Sequence, residues 1–460
     1  MQMDEVHTHG QLADRLALAG VESAEMPARL ALIDEAVGGF RKAVGRSPQW
    51  GWLVPGRIEV FGKHTDYAGG RSLVAAVPRG FAVVAAPRDD GRVIARDIRW
   101  NAAMEVESAG DPRTFHGWAN YVAVVVRRLA RNFPGATLGA DVAFSSDLPR
   151  AAGVSSSSAL VVGLALALVR RAQLDQRPEW RHAIQNPLDL AGYLGAVENG
   201  LTFRSLAGAS GVGTHGGSED HNAMLNGRPG HVSAFSYVPT RPVGEAAVPA
   251  GWRFVLMTSG VEAAKAGAAR GRYNTASLAT RALVDVWRRA TGDARPQTLA
   301  EVLGSAPGAD AELRFALEQH AHPDFPADAL ARRLAHFMAE DGRVLVALDS
   351  FARGDQIRLG ELAAASQADA AGLLGNQIPE TIAMAALARE AGAFAASSFG
   401  AGFGGSVWAL TDATDPTVVA GRWRSAYQAR FPSLANVNAL IVRPGAPAVA
   451  FDFSGWKIES

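Results

Sequence analysis

The segment 149–160 constrains the fold most strongly, because it sets a turn, four hydroxyls and a helix start in a fixed order. Pro149 and Gly153 form the turn, serines follow at 155–158, and an apolar run of helical character continues to Gln173. The first N–H groups of a helix lack internal partners and attract anions. Serine hydroxyls there can donate to a phosphate or bind Mg²⁺, but they can equally cap a helix within a polar turn. The segment alone leaves both interpretations open.

Composition narrows the class of protein. The chain has 460 residues, 48% of them hydrophobic, with 45 basic and 45 acidic side chains and no cysteine. Zero net charge argues against a nucleic-acid interface or a polybasic membrane surface. Without cysteine there is no disulfide, thiolate metal site or cysteine nucleophile. The apolar runs are shorter than the about 20 residues of a membrane span, and the first residues do not resemble a secretory signal. We therefore expect a cytoplasmic protein that binds neither nucleic acid nor membrane.

The order of predicted elements indicates an α+β fold. Apolar spacing predicts a helical extension over residues 1–44, and β-rich runs separated by glycine and proline begin near residue 50. We predict strands at 57–61, 72–77, 81–86, 93–97, 138–145, 252–258, 406–410 and 436–442, and helices at 118–132, 155–173, 188–199, 276–291, 329–354 and 379–391. Because these elements interleave without regular alternation, an α+β architecture is favoured over a doubly wound parallel sheet.

Two glycine motifs are weak evidence by themselves. Segment 56–65 looks like a phosphate-binding P-loop, but five residues rather than four separate Gly56 from Gly62, and His64 occupies the serine or threonine position. Segment 400–405 matches a dinucleotide fingerprint, which needs a strand before it and a helix after it. Here we predict a helix before it and a strand after it, so neither motif is accepted.

Segment 56–70 nevertheless carries many hydrogen-bonding groups on a short strand and its loop. Arg57, Lys63, His64, Asp66 and Tyr67 combine donors and acceptors. Such a mixture suits a polyhydroxylated ligand, whose hydroxyls need both kinds of partner. A solvated hairpin would have the same composition, so this segment alone does not decide between the two.

A third loop, 211–222, is rich in glycine and contains a candidate general base. Its glycines allow a close backbone approach, and Asp220 is the candidate base. His215, Glu219 and His221 could bind a metal, but their spacing is irregular, and a surface loop is the preferred interpretation of these three residues.

Taken together and in this order, the three loops resemble the GHMP kinase superfamily, specifically its galactokinase branch. Segment 56–70 is similar to the galactokinase sugar signature, segment 149–160 to the ATP loop of the family, and segment 398–405 to its C-terminal glycine loop. The segments 118–122, 198–199 and 272–274 also fall where that branch has comparable residues. The similarity extends over residues 50–445.

The resemblance implies a two-domain α+β kinase with its active site in the cleft between the domains. A helical extension over 1–44 would precede a ribosomal-protein-like N-terminal domain over 45–235, and a ferredoxin-like C-terminal domain would cover 236–460. Prolines at 239, 242 and 249 accord with a boundary near 225–250. The implied reaction is phosphorylation of the anomeric hydroxyl of a sugar by ATP with Mg²⁺.

The resemblance also assigns roles to individual residues. Asp220 would accept the proton of the hydroxyl, and Arg57 would keep it ionised and stabilise the developing charge. Sugar-contacting positions correspond to Lys63, His64, Asp66, Gly217 and Tyr273. ATP-binding positions correspond to Gly153, Val154, Ser155, Ser156 and Ser157, with Trp118 beside the adenine, and Mg²⁺ would be bound by Ser157 and Glu198.

Lys63 departs from the family, which has glutamate at this position. A cation with three donors replaces an acceptor-only carboxylate. One hypothesis is that the sugar is acidic, such as galacturonate, with its carboxylate paired to Lys63. The other is that Lys63 points elsewhere or still donates to an ordinary hydroxyl.

Further departures concern the loop around Asp220. Glu59 replaces asparagine, the Glu198-to-Asp220 separation is about ten residues longer through 201–213, and the residues flanking Asp220 differ. Two other functions remain open. One is a non-catalytic sugar and ATP sensor, against which the catalytic set argues, and the other is a kinase for a non-sugar alcohol, against which the 64–67 signature argues.

Overall fold

The computed structural model describes residues 9–108, 110–149, 153–261, 267–434 and 437–453. The strands are β1 (Trp50–Phe61), β2 (Arg71–Pro87), β3 (Arg92–Asp97), β4 (Ala102–Glu107), β5 (Ala140–Ser146), β6 (His231–Ser236), β7 (Arg241–Ala247), β8 (Arg253–Thr258), β9 (Ala395–Phe399), β10 (Ser406–Thr411), β11 (Ala439–Val442) and β12 (Val449–Asp452).

The helices surround two sheets. They are α1 (His9–Leu18), α2 (Met26–Val44), α3 (Trp118–Asn132), α4 (Ser156–Ala172), α5 (Pro178–Ala183), α6 (Pro187–Asn199), α7 (Glu219–Asn226), α8 (Gly267–Thr291), α9 (Leu299–Leu303), α10 (Ala309–Gln319), α11 (Ala327–Arg353), α12 (Gln356–Asp369), α13 (Pro379–Glu390) and α14 (Pro416–Arg430). Within the described ranges, no helix has the length and apolar character needed to span a membrane.

The first sheet is mixed and is covered on both faces. Its strand order is β12-β1-β2-β5-β3-β4, with β6 paired to β2 and β7 to β6. The pair β3–β5 is parallel and the other pairs are antiparallel. Alternate residues of β1 and β2 face α3 and α4 on one side and α1 and α2 on the other. This double cover explains why β1 is apolar and buried along most of its length.

The second sheet joins the two halves of the molecule. Its antiparallel order is β11-β8-β10-β9. Val255 and Val407 on one face pack against α13 and α14, whereas Phe254 and Trp408 on the other face extend the large core of the first sheet. A separate helical cluster of α8–α11 packs against Ala68 in the loop that follows β1.

The predicted α+β architecture is confirmed, and the predicted helices occur within a few residues of their expected bounds, except that α8 begins nine residues earlier. The strand predictions are corrected in three respects. The expected pair 72–77 and 81–86 is one bent strand, β2, because a register shift at Pro55 and Gly56 of β1 lets pairing continue past Gly80. Strands β4, β6, β7 and β12 were not predicted. Strand β9, rather than a helix, directly precedes segment 400–405, since pairing with β10 imposes extension on a sequence without β-branched residues.

The first sheet extends beyond the predicted N-terminal domain, since β7 and β12 both belong to it. The division at residue 235 stays a prediction. Residues 1–8 of the predicted extension, 150–152 of the serine-rich segment, and 262–266, 435–436 and 454–460 of the predicted C-terminal domain lie outside the described residues.

Candidate active site

A cavity of about 520 Å³ lies where the loop after β1, the starts of α4 and α7, and the glycine loop between β9 and β10 meet. Its ionisable lining residues are Arg57, Glu59, His64, Asp66, Tyr67, Glu198, Glu219, Asp220, His221 and Tyr273. The three loops singled out in the sequence therefore converge on one polar cavity.

Asp220 and Arg57 form the central ion pair of this cavity. Asp220 lies in the first turn of α7, and Arg57 lies on β1. Arg57 Nε donates to Asp220 Oδ1 at 2.6 Å. Arg57 also donates to the carbonyl oxygen of Gly153. Burial alone would lower the pKa of the Arg57 guanidinium, but the charges of Asp220, Glu219 and Glu59 outweigh it and raise the pKa above its ordinary value. Arg57 therefore stays cationic beside Asp220.

The serine-rich turn contacts the same carboxylate. Ser155 Oγ donates to Asp220 Oδ2 at 2.5 Å, and Ser158 Oγ lies 3.1 Å from that oxygen. Ser158 Oγ also donates to Glu198 Oε2 at 2.9 Å. Ser155 has a positive φ of 57°, which turns the chain into α4. Thus the start of α4, Glu198 on α6 and Asp220 on α7 share a hydrogen-bonded cluster.

The loop after β1 also lines the cavity, through His64, Asp66 and Tyr67. His64 Nδ1 lies 2.9 Å from the Tyr67 hydroxyl, and its ring lies 5.1 Å from that of Tyr273. Asp66 accepts from the backbone N–H groups of Tyr67 at 2.8 Å and Glu219 at 3.2 Å. Gly217 approaches so closely that a Cβ there would lie 2.2 Å from Asp66 Oδ2. The structure therefore brings His64, Asp66, Gly217 and Tyr273 to the cavity together.

Two carboxyl groups in the cavity, Glu59 and Glu219, were missed as site residues. Glu59 Oε2 accepts from Gly400 N at 2.6 Å, and Glu219 Oε1 lies 3.5 Å from Arg57 Nε. Burial raises the pKa of both carboxyl groups, and burial together with the nearby charge of Glu59 holds the pKa of Glu219 well above its ordinary value. Glu59 is two residues after Arg57, and Glu219 directly precedes Asp220. Their closeness in sequence to these two predicted site residues was the signal that could have identified them.

Three family models match separate parts of the chain: the galactokinase galactose-binding signature over residues 39–87, the GHMP kinase N-terminal domain over 120–186 and the GHMP kinase C-terminal model over 347–429. The chain belongs to the GHMP kinases, in their galactokinase-like branch.

Curated relatives extend this match over most of the chain. Galactokinase of Actinobacillus pleuropneumoniae is 27% identical over 388 residues, covering 81% of this chain and 87% of the relative. Galactokinase of Chloroflexus aurantiacus is 29% identical over 384 residues, with the same two coverages. A crystal structure of Lactococcus lactis galactokinase complexed with galactose has a TM-score of 0.70 at 20% identity and covers 90% of this chain and 98% of that one. The last comparison shows that this chain and the Lactococcus lactis enzyme have the same fold.

Lys63 of this galactokinase-like kinase is buried away from the cavity, contrary to the predicted sugar contact. Its Nζ donates to Ser366 Oγ at 2.5 Å and Ser397 Oγ at 3.0 Å and lies 3.8 Å from Glu340 Oε1. Its side chain is 1% exposed. Because α11, α12 and β9 supply these partners, Lys63 is turned away from the sugar wall, and the acidic-sugar hypothesis loses its proposed charge partner.

The prediction that Ser157 and Glu198 bind Mg²⁺ stays a prediction, and the structure shows which serine lies beside Glu198. Ser158, not Ser157, contacts Glu198. His215 and His221 do not join Glu219 as metal ligands, and no group of three or more histidine or acidic residues within the described chain could hold a metal ion. A hydroxyl and one carboxylate do suit Mg²⁺ when nucleotide phosphates complete its coordination, so the residues present fit the ion that this kinase family implies.

The remaining nucleotide-binding predictions lie next to this cluster. Val154 accepts from Arg57 N at 3.3 Å, and a Cβ on Gly400 would lie 3.0 Å from the Gly153 carbonyl oxygen. Trp118 begins α3, and its ring packs edge-on against Phe144 at 5.6 Å. The roles of Gly153, Val154, Ser155 and Ser156 toward phosphate, and of Trp118 toward adenine, stay predictions.

Proposed function

We propose that this chain transfers the γ-phosphoryl group of ATP to the anomeric hydroxyl of galactose or a closely related sugar. The single observation that carries the proposal is the 2.6 Å contact of Asp220 with Arg57 inside a cavity that also holds the Ser158–Glu198 pair. Phosphoryl transfer requires mainly positioning and charge stabilisation, and these side chains can supply both.

Asp220 would act as the general base. Its Oδ2 already accepts from the Ser155 hydroxyl, so it can accept from a sugar hydroxyl. As the anomeric oxygen forms a bond to the γ-phosphorus, its proton passes to Asp220. The bond between that phosphorus and the β–γ bridging oxygen breaks, and ADP leaves with the electron pair. Arg57 keeps Asp220 ionised and stabilises charge on the transferring group.

His64, Asp66 and Tyr273 would orient the sugar. Their donors and acceptors line the same cavity as Ser158, which suits a ligand with several hydroxyls. The similarity of residues 39–87 to the galactokinase galactose-binding signature supports galactose as the reference substrate.

Ser158 and Glu198 would hold Mg²⁺ together with the nucleotide. When bound, the ion neutralises charge on the phosphate oxygens. The N-terminal turn of α4 would bind the phosphates through its N–H groups.

The test measures ADP release from MgATP with galactose, comparing the wild type with Asp220→Asn. We expect wild-type turnover, and a loss of about 10²- to 10⁴-fold in kcat for the variant, the usual contribution of a general base. Galactose affinity by calorimetry should be retained, because the amide keeps the shape of the side chain. Turnover unchanged by Asp220→Asn would contradict the proposed base, and binding without wild-type turnover would indicate a sensor.

A further inference from the structure

The imidazole of His221 lies buried in the wall of the cavity without a hydrogen bond. His221 is 1% exposed, and neither of its ring nitrogens makes a hydrogen bond within the part of the chain that the structure describes. A buried polar group without a partner is costly, and its presence in a native protein needs a specific explanation. The surroundings of the ring suggest that the missing partner is a bound ligand.

One nitrogen of this ring lies beside the two residues proposed to hold the ion. His221 Nε2 is 3.2 Å from Glu198 Oε2, and Ser158 Oγ is 2.9 Å from the same oxygen. A separation of 3.2 Å allows a hydrogen bond, so its absence at Nε2 reflects direction rather than distance. The contact of His221 with Glu198 therefore leaves the hydrogen-bonding position of Nε2 unused, next to a carboxylate and a hydroxyl.

The spacing of these three atoms is that of neighbouring ligands around one ion. In an octahedral shell with ligands at about 2.1 Å, adjacent ligand atoms are about 3.0 Å apart. The two separations from Glu198 Oε2, 2.9 and 3.2 Å, lie on either side of this value. Because imidazole nitrogen is a common metal ligand in proteins, an ion bound to Glu198 can also be bound by Ser158 and His221.

An imidazole ligand changes which ion the site prefers. Mg²⁺ takes oxygen ligands, whereas divalent ions of the first transition row also bind imidazole nitrogen. Among these ions, Mn²⁺ suits carboxylate oxygens as well, and Glu198 supplies such an oxygen beside the phosphate oxygens of a nucleotide. The single nitrogen donor of His221 should therefore shift the preference of the site from Mg²⁺ toward Mn²⁺.

We infer that His221 is a metal ligand of this kinase, through Nε2 and beside Ser158 and Glu198, and that the site prefers a divalent transition ion such as Mn²⁺ to Mg²⁺. The inference rests on the proposed function, which places a nucleotide-bound ion at Ser158 and Glu198, and deepens it by naming a third ligand and the kind of ion. Asp220 remains the residue that accepts the proton of the sugar hydroxyl.

The first experiment tests whether the imidazole binds the ion directly, and it needs no turnover. One equivalent of Mn²⁺ is added to the protein with an ATP analogue whose β–γ bridging oxygen is replaced by a methylene group, and the spin-echo envelope of the ion is recorded. We expect modulation from a directly bound imidazole nitrogen. His221→Gln should lose this modulation. His231→Gln on β6, whose half-buried ring lies outside the cavity, should keep it.

The second experiment measures ion selectivity by calorimetric titration of the same nucleotide complex with Mn²⁺ and with Mg²⁺. The wild type should favour Mn²⁺ over Mg²⁺ by more than the free nucleotide does. Loss of an outer-shell partner of a metal ligand costs about 10- to 100-fold in affinity, and loss of a ligand should cost no less. We therefore expect His221→Gln to weaken Mn²⁺ binding by that factor or more and Mg²⁺ binding much less, and His231→Gln to change neither.

The outcomes separate this inference from the proposed function. If the wild type shows no nitrogen modulation, or if His221→Gln weakens the binding of both ions equally, the inference is wrong, His221 is only a structural neighbour of Glu198, and the sugar-kinase function stands. If the modulation is present but no sugar is phosphorylated with either ion, the proposed function fails and His221 is still a metal ligand. The wild-type spectrum decides the question even if His221→Gln does not fold.

Discussion

Ser158 and Asp220 are 62 residues apart in sequence, yet the Ser158 hydroxyl lies 3.1 Å from the Asp220 carboxylate and 2.9 Å from that of Glu198, and its one proton can be donated to either. Such a contact depends on side-chain direction, because one residue along a helix turns the side chain by about 100°. Ser157, one position earlier, is half-buried, whereas Ser158 is 1% exposed. The difference of one residue along α4 therefore decides which serine contacts Glu198.

We expect Ser158→Ala to weaken activation by Mg²⁺ more than Ser157→Ala does. Removal of a hydrogen bond to a charged group costs about 1.5–3 kcal/mol, roughly a 10- to 100-fold change in the Mg²⁺ concentration for half-activation. The measurement is an Mg²⁺ titration of the kinase activity for both variants. A larger effect of Ser157→Ala would restore the assignment made from the family motif.

At the scale of elements, α11 holds the sugar-signature loop. Glu340 accepts from the N–H groups of Gly62 at 3.1 Å and Lys63 at 3.3 Å, and from Ser366 Oγ at 2.8 Å. About two turns earlier on the same helix, Arg333 donates to the His64 carbonyl oxygen and, at 3.1 Å, to the Tyr67 hydroxyl. Because His64 has a positive φ of 59°, these contacts from α11 stabilise a backbone conformation that the loop would not favour alone.

Glu340→Gln should destabilise the protein by about 3–5 kcal/mol, because it leaves the Lys63 ammonium buried without its counter-charge. The matched control is Asp328→Asn on the same helix. Its carboxylate is 70% exposed and pairs with Arg332, so its loss should cost under about 1 kcal/mol. Urea unfolding of both variants gives the comparison, and equal midpoints would show that the Lys63–Glu340 pair contributes no net stability.

The same pair predicts a pH dependence. Burial alone would raise the pKa of Glu340, but Lys63, His336 and Arg343 outweigh it and hold the pKa at about 2, below the ordinary 4.5. Its contribution to stability is therefore complete above pH 4.5 and is lost as the pH falls toward 2. The stability difference between the wild type and Glu340→Gln should shrink over that interval, as measured by unfolding at several pH values. A difference that stays constant would contradict the lowered pKa.

At the scale of the whole molecule, the described segments nearest the two chain ends meet on one face of the first sheet. Strand β12 pairs with β1, and α1 and α2 cover that face through a cluster that includes Leu16, Phe40, Val84 and Phe451. The cavity lies in a different region, where β1 meets the glycine loop of the second sheet through the Glu59–Gly400 hydrogen bond. A substitution that destabilises the face covered by α1 and α2 should therefore leave the activity of the folded protein unchanged.

Phe40→Ala tests this separation. Phe40 is fully buried, so the cavity left by its removal should cost about 3–5 kcal/mol of unfolding free energy. Phe315→Ala on α10 is the control, because that side chain is 64% exposed and should cost within about 0.5 kcal/mol. Urea unfolding measures both, and kcat/KM at a temperature below unfolding should be unchanged. A change in kcat/KM without a loss of stability would show that the helices α1 and α2 and the active site are coupled, which contradicts this prediction.

Part of the fold can be predicted from local sequence. Apolar spacing located several of the longer helices, since a helical face repeats within one segment, but it missed α12 and α14. The resemblance to the galactokinase branch supplied the expectation that Arg57 and Asp220 belong to one site, and the structure brings them together. Strand β9 escaped prediction because its extension is imposed by pairing with β10.

By itself, the sequence determined the α+β class, the starts of most of the predicted helices and the hydrogen-bonding chemistry of the three loops, because these properties arise among neighbouring residues. Only the tertiary structure decided that Lys63 turns toward Glu340, that Ser158 rather than Ser157 meets Glu198, and that Glu59 and Glu219 share a cavity with Asp220. Those outcomes depend on contacts between residues far apart in sequence, such as Arg57 and Asp220, which are 163 residues apart. Packing and the electrostatic cost of burial determine which partner each buried charge has.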